Sequence, residues 1–407
     1  MLGAIADDFT GATDLATMLR RSGHSVAVVI EDGDTTGLGD VDAVVIALKT
    51  RTARPDAAVA SSLAALRALR GLGATRFYVK YCSTFDSTDE GNIGPILDAV
   101  TEELGAARCV VVPALPANGR TVYLGHLFVG SDLLEHSSMR QHPLTPMTRS
   151  RVADILRPQT DEAVDEVFHA VVRQGADAIR RALDASSCRY TVIDAIDEDD
   201  LAVIAAATTD DVVVSGGSGL ALGLHGPGRR SDVWSPPQPG RGVVLCGSVS
   251  RATLAQLDVA AQSQPVRQID LEQALADPDR AITELADWVL TQDAGAHPVV
   301  CAARNRSDVR SEQGGIDVAP VVERVLAGVA RKLVADGRVT AMIVAGGETS
   351  GAVVRELDVQ SLRIGPELAP GVCWSTADAG GRRIALALKS GNFGDEDLFV
   401  AAWKELA

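Results

Sequence analysis

Short runs rich in valine and isoleucine alternate with amphipathic stretches from one end of this chain to the other. That rhythm confines it to repeated strand–helix units on a mainly parallel sheet, because a strand covered by helices on both faces reads as a continuous apolar run rather than an alternating one. Strands are expected at Leu2–Ala6, Ser25–Ile30, Ala43–Leu48, Phe77–Tyr81, Cys109–Val112, Val164–Phe168, Tyr190–Asp194 and Val212–Ser215, with helices at Ala57–Arg70, Ile93–Leu104 and Arg173–Leu183. The stretch 226–240 interleaves proline, glycine and charge and stops the rhythm. Beyond it the pattern restarts with strands at Val243–Cys246, Pro298–Ala302, Ala341–Ala345 and Ile384–Leu388 and helices at Arg251–Gln262 and Val321–Ala335. The 407 residues therefore read as two α/β domains with mainly parallel sheets and ligands in the interdomain cleft: 1–228 and 241–407, joined by a linker at 229–240.

A formal charge of −16 argues against nucleic acid or an anionic membrane as partner, since either would call for a basic face. It also means that an anionic substrate must be held by local Arg, Lys, backbone N–H groups or Mg²⁺ against an adverse overall field. The six cysteines show no CxxC pairing and read as reduced and mostly buried. The first residues carry no basic region and run into two aspartates, unlike a secretory signal, and no stretch approaches the ~20 apolar residues of a membrane span. The expectation is a cytoplasmic enzyme; a homodimer is compatible with the sequence.

In an open parallel sheet, ligands sit beyond the carboxyl ends of the strands, so the loops there are the site candidates. Asp7 and Asp8 follow the first strand, where a carboxylate can accept a bond from a substrate hydroxyl, take its proton, or cap the next helix. Arg51 follows the third strand, and Lys80, Tyr81, Cys82, Ser83, Thr84 and Asp86 close the fourth; Arg51 can fork onto a carboxylate and Lys80 can supply a point charge. Asn118 and Arg120 lie in the loop after the fifth strand, and His142–Thr148, stiffened by two prolines, reads as a wall or an ordinary turn. The Gly216–Gly223 turn only superficially resembles a dinucleotide fingerprint, because its spacing is GxGxxxG and the linker follows where a βαβ unit should continue.

In the second domain, Ser248 follows one strand, Gly346, Gly347, Glu348, Thr349 and Gly351 follow another, and Lys389, Gly391 and Asn392 follow a third. Small residues let phosphate oxygens approach the backbone, hydroxyls add donors, and Glu348 could hold Mg²⁺ directly or through water. No GxxxxGK[ST], HExxH, protein-kinase HRD or DFG, or GxSxG motif is present.

Taken together, IADDFTGATDLA at 5–16, KYCSTFDST at 80–88, GNIGP at 91–95, NGRTVYLGHLFVG at 118–130, HPLTPMT at 142–148, GGETSGAV at 346–353 and ALKSGNFG at 387–394 resemble the four-carbon acid sugar kinase family, in its 3-oxo-tetronate branch. The resemblance implies a sugar-acid-binding N-terminal domain, an ATP-binding C-terminal domain, and phosphorylation of the 4-hydroxyl of a 3-oxo-tetronate. It places Asp8, Arg51 and Lys80 to Ser83 on substrate and Ser248, Gly346 to Thr349 and Gly391 on ATP. Asp8 is the expected general base, with Asp7 and Asp86 as rivals. D-threonate or D-erythronate kinase activity, an NAD(P)-dependent oxidoreductase and a non-catalytic sugar-acid binder are the alternatives. The Asp161–His169 stretch is more acidic than a strand at that position should be.

Overall fold

The computed structural model describes residues 1–35, 38, 40–142, 145–228, 234–310, 312–313 and 315–406. It divides into two compact units, Met1–Asp232 and Val233–Ala407. Part of the expected linker, 229–233, and Pro143 and Leu144 of the proline-stiffened loop lie outside the described residues.

The first unit contains β1 (Leu2–Ala6), β2 (Val26–Ile30), β3 (Ala43–Ala47), β4 (Arg76–Lys80), β5 (Cys109–Val112), a small antiparallel meander of β6 (Arg120–Tyr123), β7 (His126–Val129) and β8 (Asp132–Leu133), then β9 (Val164–Val167), β10 (Tyr190–Ile193) and β11 (Val213–Gly216). Its main sheet runs β2-β3-β1-β4-β11-β5-β10-β9, every pairing parallel. The registers Ala6↔Ala47, Ala6↔Lys80 and Gly216↔Lys80 bring the carboxyl ends of β3, β1, β4 and β11 level, so the loops after them emerge side by side.

β1 is buried along its whole length, as its unbroken apolar sequence requires. The following helix, Phe9–Arg21, starts where Asp8 leaves helical geometry and accepts from the Gly11 amide. Three departures from the sequence reading have local causes. The meander's strands are only two to four residues long, too short for a clear period. The helix expected from Arg173 begins at Ala176, after the chain turns at Gly175 with φ 95°. The acidic stretch lies on β9, the edge strand, where only Val167 is buried and Glu166 is held by Arg151 at 3.0 Å, so its charge is compatible with the sheet.

The second unit contains β12 (Arg241–Cys246), β13 (Val266–Gln268), β14 (Val299–Cys301), a short hairpin of β15 (Glu312–Gln313) and β16 (Ile316–Asp317), then β17 (Val339–Ala345), β18 (Ser361–Ala369), β19 (Val372–Ala379) and β20 (Arg382–Lys389). The order is β13-β14-β12-β17-β20-β19-β18, parallel as far as β20 and antiparallel beyond it. Sequence periodicity showed β20 but not β18 or β19, whose polar and proline-containing runs are stabilised by pairing with their neighbours. Trp374, Phe399 and Trp403 anchor the core beside them, with Trp374 Nε1 donating to the Ala402 carbonyl at 3.0 Å. Among the described residues, no helix is long and apolar enough to cross a membrane.

Candidate active site

Two carboxylates and two cations converge at the carboxyl end of β1. Arg51 grips Asp7 with a fork, Nε to Oδ2 at 2.7 Å and Nη2 to Oδ1 at 2.8 Å, and also reaches Asp8 Oδ1 at 2.9 Å. Asp8 meanwhile accepts from the Gly11 amide at 2.7 Å and the Thr10 hydroxyl at 2.9 Å. The expected capping role thus falls on Asp8, which also stands beside both cations. Arg51, expected to fork onto a substrate carboxylate, is forked onto Asp7 here. Its loop is braced by Asn92, which donates to the carbonyls of Thr50 at 2.6 Å and Ala53 at 3.0 Å.

Lys80 is buried, with Nζ donating to the Tyr81 carbonyl at 3.0 Å. Gly11 leaves room for this arrangement: a Cβ would lie 2.3 Å from Asp8 Oδ1 and 3.0 Å from Lys80 Nζ, so a larger residue would displace the carboxylate. Burial pushes the Asp7 carboxyl above the usual carboxylate range despite Arg51. At Asp8 burial pushes the same way, but Arg51, Lys80, the Thr10 hydroxyl and the Gly11 amide outweigh it and hold the carboxyl below that range.

The remaining candidates of this unit separate. Ser83 is half-buried, and its hydroxyl has no protein partner among the described residues. Tyr81 is a core residue, its hydroxyl 3.2 Å from Ser215 Oγ and its ring edge-on to Phe85, so only its backbone faces the loop. Burial pushes the Cys82 thiol up to about 12, which makes it unreactive. Asp86 is buried and accepts from Thr84 at 2.6 Å. Asn118 and Arg120 are half-buried, and Arg120 Nη1 donates to the Asn118 carbonyl. A cavity of about 650 Å³ lies along β2, β3 and the helix Pro55–Gly71, lined by Leu48, Lys49 and Thr50 but by neither aspartate nor Lys80; the convergent charges mark the chemistry better than the volume does. The Gly216–Gly223 segment passes into a 3-10 turn, Gly219–Gly223, so it has no α-helix to receive a dinucleotide pyrophosphate.

In the second unit, the ends of β12, β17 and β20 lie level through Cys246↔Ala345 and Ala345↔Lys389. The amides of Gly247 and Ser248 both donate to the Ala345 carbonyl at 3.0 Å, and the Gly346 amide to the Lys389 carbonyl at 2.9 Å. Gly346 holds φ at 123°, and a Cβ there would meet the Ser248 amide at 3.2 Å. The helix Gly347–Glu356 follows with no side-chain cap, so its first-turn N–H groups and dipole face the loops.

Around them lie hydroxyls. Thr253 Oγ1 donates to the Gly391 carbonyl at 2.8 Å and stands 3.1 Å from Ser248 Oγ, and Ser250 Oγ donates to the same carbonyl. Lys389 is fully buried among them, Nζ donating to Thr253 Oγ1 and the Gly391 carbonyl at 3.1 Å each, without a carboxylate partner. Burial lowers its pKa to about 8. Glu348 is exposed in the helix's first turn. Gly351 lies a turn further, buried in the helix, and Asn392 is exposed. No group of three His, Cys, Asp or Glu able to hold a metal exists among the described residues, so Glu348 fits only an ion brought largely by phosphate and water.

Sequence reading missed Asn92 and Thr253 as parts of these sites, and it placed Ser250 in a phosphate-suited turn without giving its hydroxyl a partner. The spacing of Ser250 and Thr253, an N-cap and the residue three later, was the available signal.

A parallel sheet ending in carboxylates and cations, and a second ending in glycines, hydroxyls and a helix N-terminus, make an α/β protein of two units, the first with the chemistry to suit a polar organic acid and the second a phosphorylated ligand. Family models describe residues 2–224 as a sugar-binding N-terminal domain and residues 243–399 as a nucleotide-binding C-terminal domain. The chain belongs to the four-carbon acid sugar kinase family. It is similar to the 3-oxo-tetronate kinase of Pectobacterium atrosepticum, 42% identical over 100% of this chain and 99% of that one. The 3-oxo-tetronate kinase of Salmonella typhimurium is 41% identical over 99% of each chain. A crystal structure from Salmonella typhimurium LT2, of a protein described as a proposed tRNA synthase, superposes with a TM-score of 0.92 at 40% identity over 100% of this chain and 99% of its own. A Haemophilus influenzae protein of 40% identity superposes with a TM-score of 0.81, each chain covered to 100%.

Proposed function

We propose that this protein is an ATP-dependent kinase that phosphorylates the 4-hydroxyl of a 3-oxo-tetronate. The observation that carries the reading is the buried, carboxylate-free Lys389 beside an uncapped helix N-terminus and a ring of hydroxyls, a cradle whose charge calls for an anion such as a triphosphate. Full-length similarity to relatives named 3-oxo-tetronate kinase supports the substrate. The −16 charge argues against tRNA as a ligand.

Residues 1–228 bind the sugar acid, residues 241–407 bind ATP, and 229–240 connects them. Lys80 and Ser83 hold the substrate's oxygens, and Arg51 does so through whatever part of its fork Asp7 releases. Asp8 accepts from the reacting hydroxyl; an alcohol attacking a loose phosphoryl transition state needs little proton acceptance, so a carboxylate held ionised suffices. Ser248, Gly346 to Thr349, Lys389 and Gly391 receive the phosphates. Glu348 would help to hold a Mg²⁺ carried with the nucleotide, directly or through water, and that ion would supply neutralisation of phosphate charge.

A coupled ADP-release assay with 3-oxo-tetronate, D-threonate and D-erythronate tests the reading. Turnover highest on 3-oxo-tetronate is expected. Fastest turnover on a reduced acid would reassign the substrate, and sugar-acid binding without any effect of ATP would leave a binding protein.

A further inference from the structure

The proposed substrate unit holds a second cluster of buried polar groups. Asp14 lies in the helix Phe9–Arg21, three residues beyond Gly11 and four beyond Thr10, on the face that meets Lys80. Its side chain is 4% exposed, and Oδ1 has no hydrogen-bond partner. Ser218, fully buried in the turn after β11, lies beside it, yet its Oγ makes no bond of acceptable geometry to Asp14 or to any other group. Arg120, at the start of β6, is close enough to act on the Asp14 charge, and its buried Nε is also unpartnered, as is the buried Nδ2 of Asn118.

Buried polar atoms are almost always paired, so an unpaired Asp14 Oδ1 with an unpaired Ser218 Oγ beside it, and Arg120 with its unpaired Nε within electrostatic reach, is unusual. They are complementary in kind: Asp14 accepts, Arg120 Nε and Asn118 Nδ2 donate, and Ser218 does either. Helical side chains tilt toward the N-terminus, which aims Asp14 back toward the turn that carries Gly11 and Asp8.

We propose that Asp14, Ser218 and Arg120 are specificity-determining residues, Asp14 accepting from a substrate hydroxyl while Arg120 and Ser218 donate to an adjacent carbonyl or carboxylate oxygen. The inference rests on the kinase reading. In a 3-oxo-tetronate whose 4-hydroxyl is the phosphoryl acceptor, the remaining hydroxyl is that on carbon 2. Asp14 therefore reads the 2-hydroxyl, and Arg120 and Ser218 read the oxygen beside it.

The test compares wild type, Asp14→Ala, Asp14→Asn and Ser218→Ala on 3-oxo-tetronate and on 4-hydroxy-3-oxobutanoate, which lacks the 2-hydroxyl. ATP affinity and the melting temperature without ligand are followed in parallel. Wild type prefers the 2-hydroxy acid; Asp14→Ala loses about 10- to 100-fold in kcat/KM on that acid alone, so the preference collapses. Asp14→Asn, which keeps one acceptor oxygen, recovers part of it. Ser218→Ala loses affinity for both acids, and no variant alters ATP affinity or lowers the melting temperature. An Asp14→Ala variant that loses equally on both acids, or that melts lower while keeping the preference, overturns the inference and leaves the kinase reading standing. A wild-type protein that phosphorylates no four-carbon acid overturns both.

Discussion

Replacing Lys389 by methionine should make the ligand-free protein more stable while removing its response to ATP. The folded-state pKa of about 8 lies below the ordinary 10.5. Holding that ammonium in place at pH 7 therefore costs roughly 3 kcal/mol, at about 1.4 kcal/mol per unit. Methionine matches the length of the stem and leaves the Thr253 hydroxyl and the Gly391 carbonyl one donor short, a loss of about 1 kcal/mol. The net gain of about 2 kcal/mol corresponds to a rise of roughly 5 °C in the melting temperature of a unit this size.

The pH dependence has a definite sign. With the folded pKa below the unfolded one, the penalty is fully present below pH 8 and is relieved as pH climbs from about 8 to 10.5, so the gap between variant and wild type should close over that window. For the same reason wild-type affinity for ATP should weaken as pH rises through about 8, because bound phosphate holds the proton on Lys389. Differential scanning fluorimetry across this range, with and without ATP·Mg²⁺, reads all of these. Wild type at about 100 times its dissociation constant gains roughly 2.7 kcal/mol, and the variant gains nothing. A Lys389→Met protein that melts lower at pH 7, or that is stabilised by ATP as much as wild type, refutes the reasoning.

Other perturbations have separable outcomes. Asp8→Asn keeps a capping oxygen but removes the charge: kcat should fall at least tenfold with stability within about 1 kcal/mol of wild type, and an unchanged kcat with raised KM would make Asp8 a binding residue only. Gly11→Ala drives a methyl into Asp8 Oδ1 and toward Lys80 Nζ, so steady-state kinetics should show sugar-acid KM raised while ATP affinity, by calorimetry, stays as it was. Gly346→Ala does the reverse: φ of 123° and a Cβ 3.2 Å from the Ser248 amide should weaken ATP binding by at least tenfold and leave sugar-acid binding intact.

Much of the architecture could be read from local pattern. The helix Ile93–Leu104 and the strand Cys109–Val112 fall where periodicity put them, because a buried strand or an amphipathic helix is encoded by its own neighbours. β18 and β19 could not be read in this way, since their own runs mix polar and apolar residues without a clear period and pairing with their neighbours sets them in the sheet. The site divides along the same line. Asp7, Asp8, Arg51 and Lys80 were legible because each follows a recognisable strand end. For Tyr81, named within the Lys80 to Ser83 stretch, the direction of the side chain was not legible, because alternation along a strand end does not reveal which face a residue takes once the ladder stops; here it turns inward to Ser215.

The sequence by itself determined the strand–helix rhythm, the break at 226–240 and the loops that carry chemistry, all of which depend on residues within a few positions of one another. The tertiary structure decided which of those loops are neighbours, because strand order and register in a parallel sheet are set by crossovers and packing over the whole unit. Only the alignment of Ala6 with Ala47 and Lys80 puts Arg51 on Asp7 and Asp8, and only the placement of β11 beside β4 brings Ser218 to Asp14.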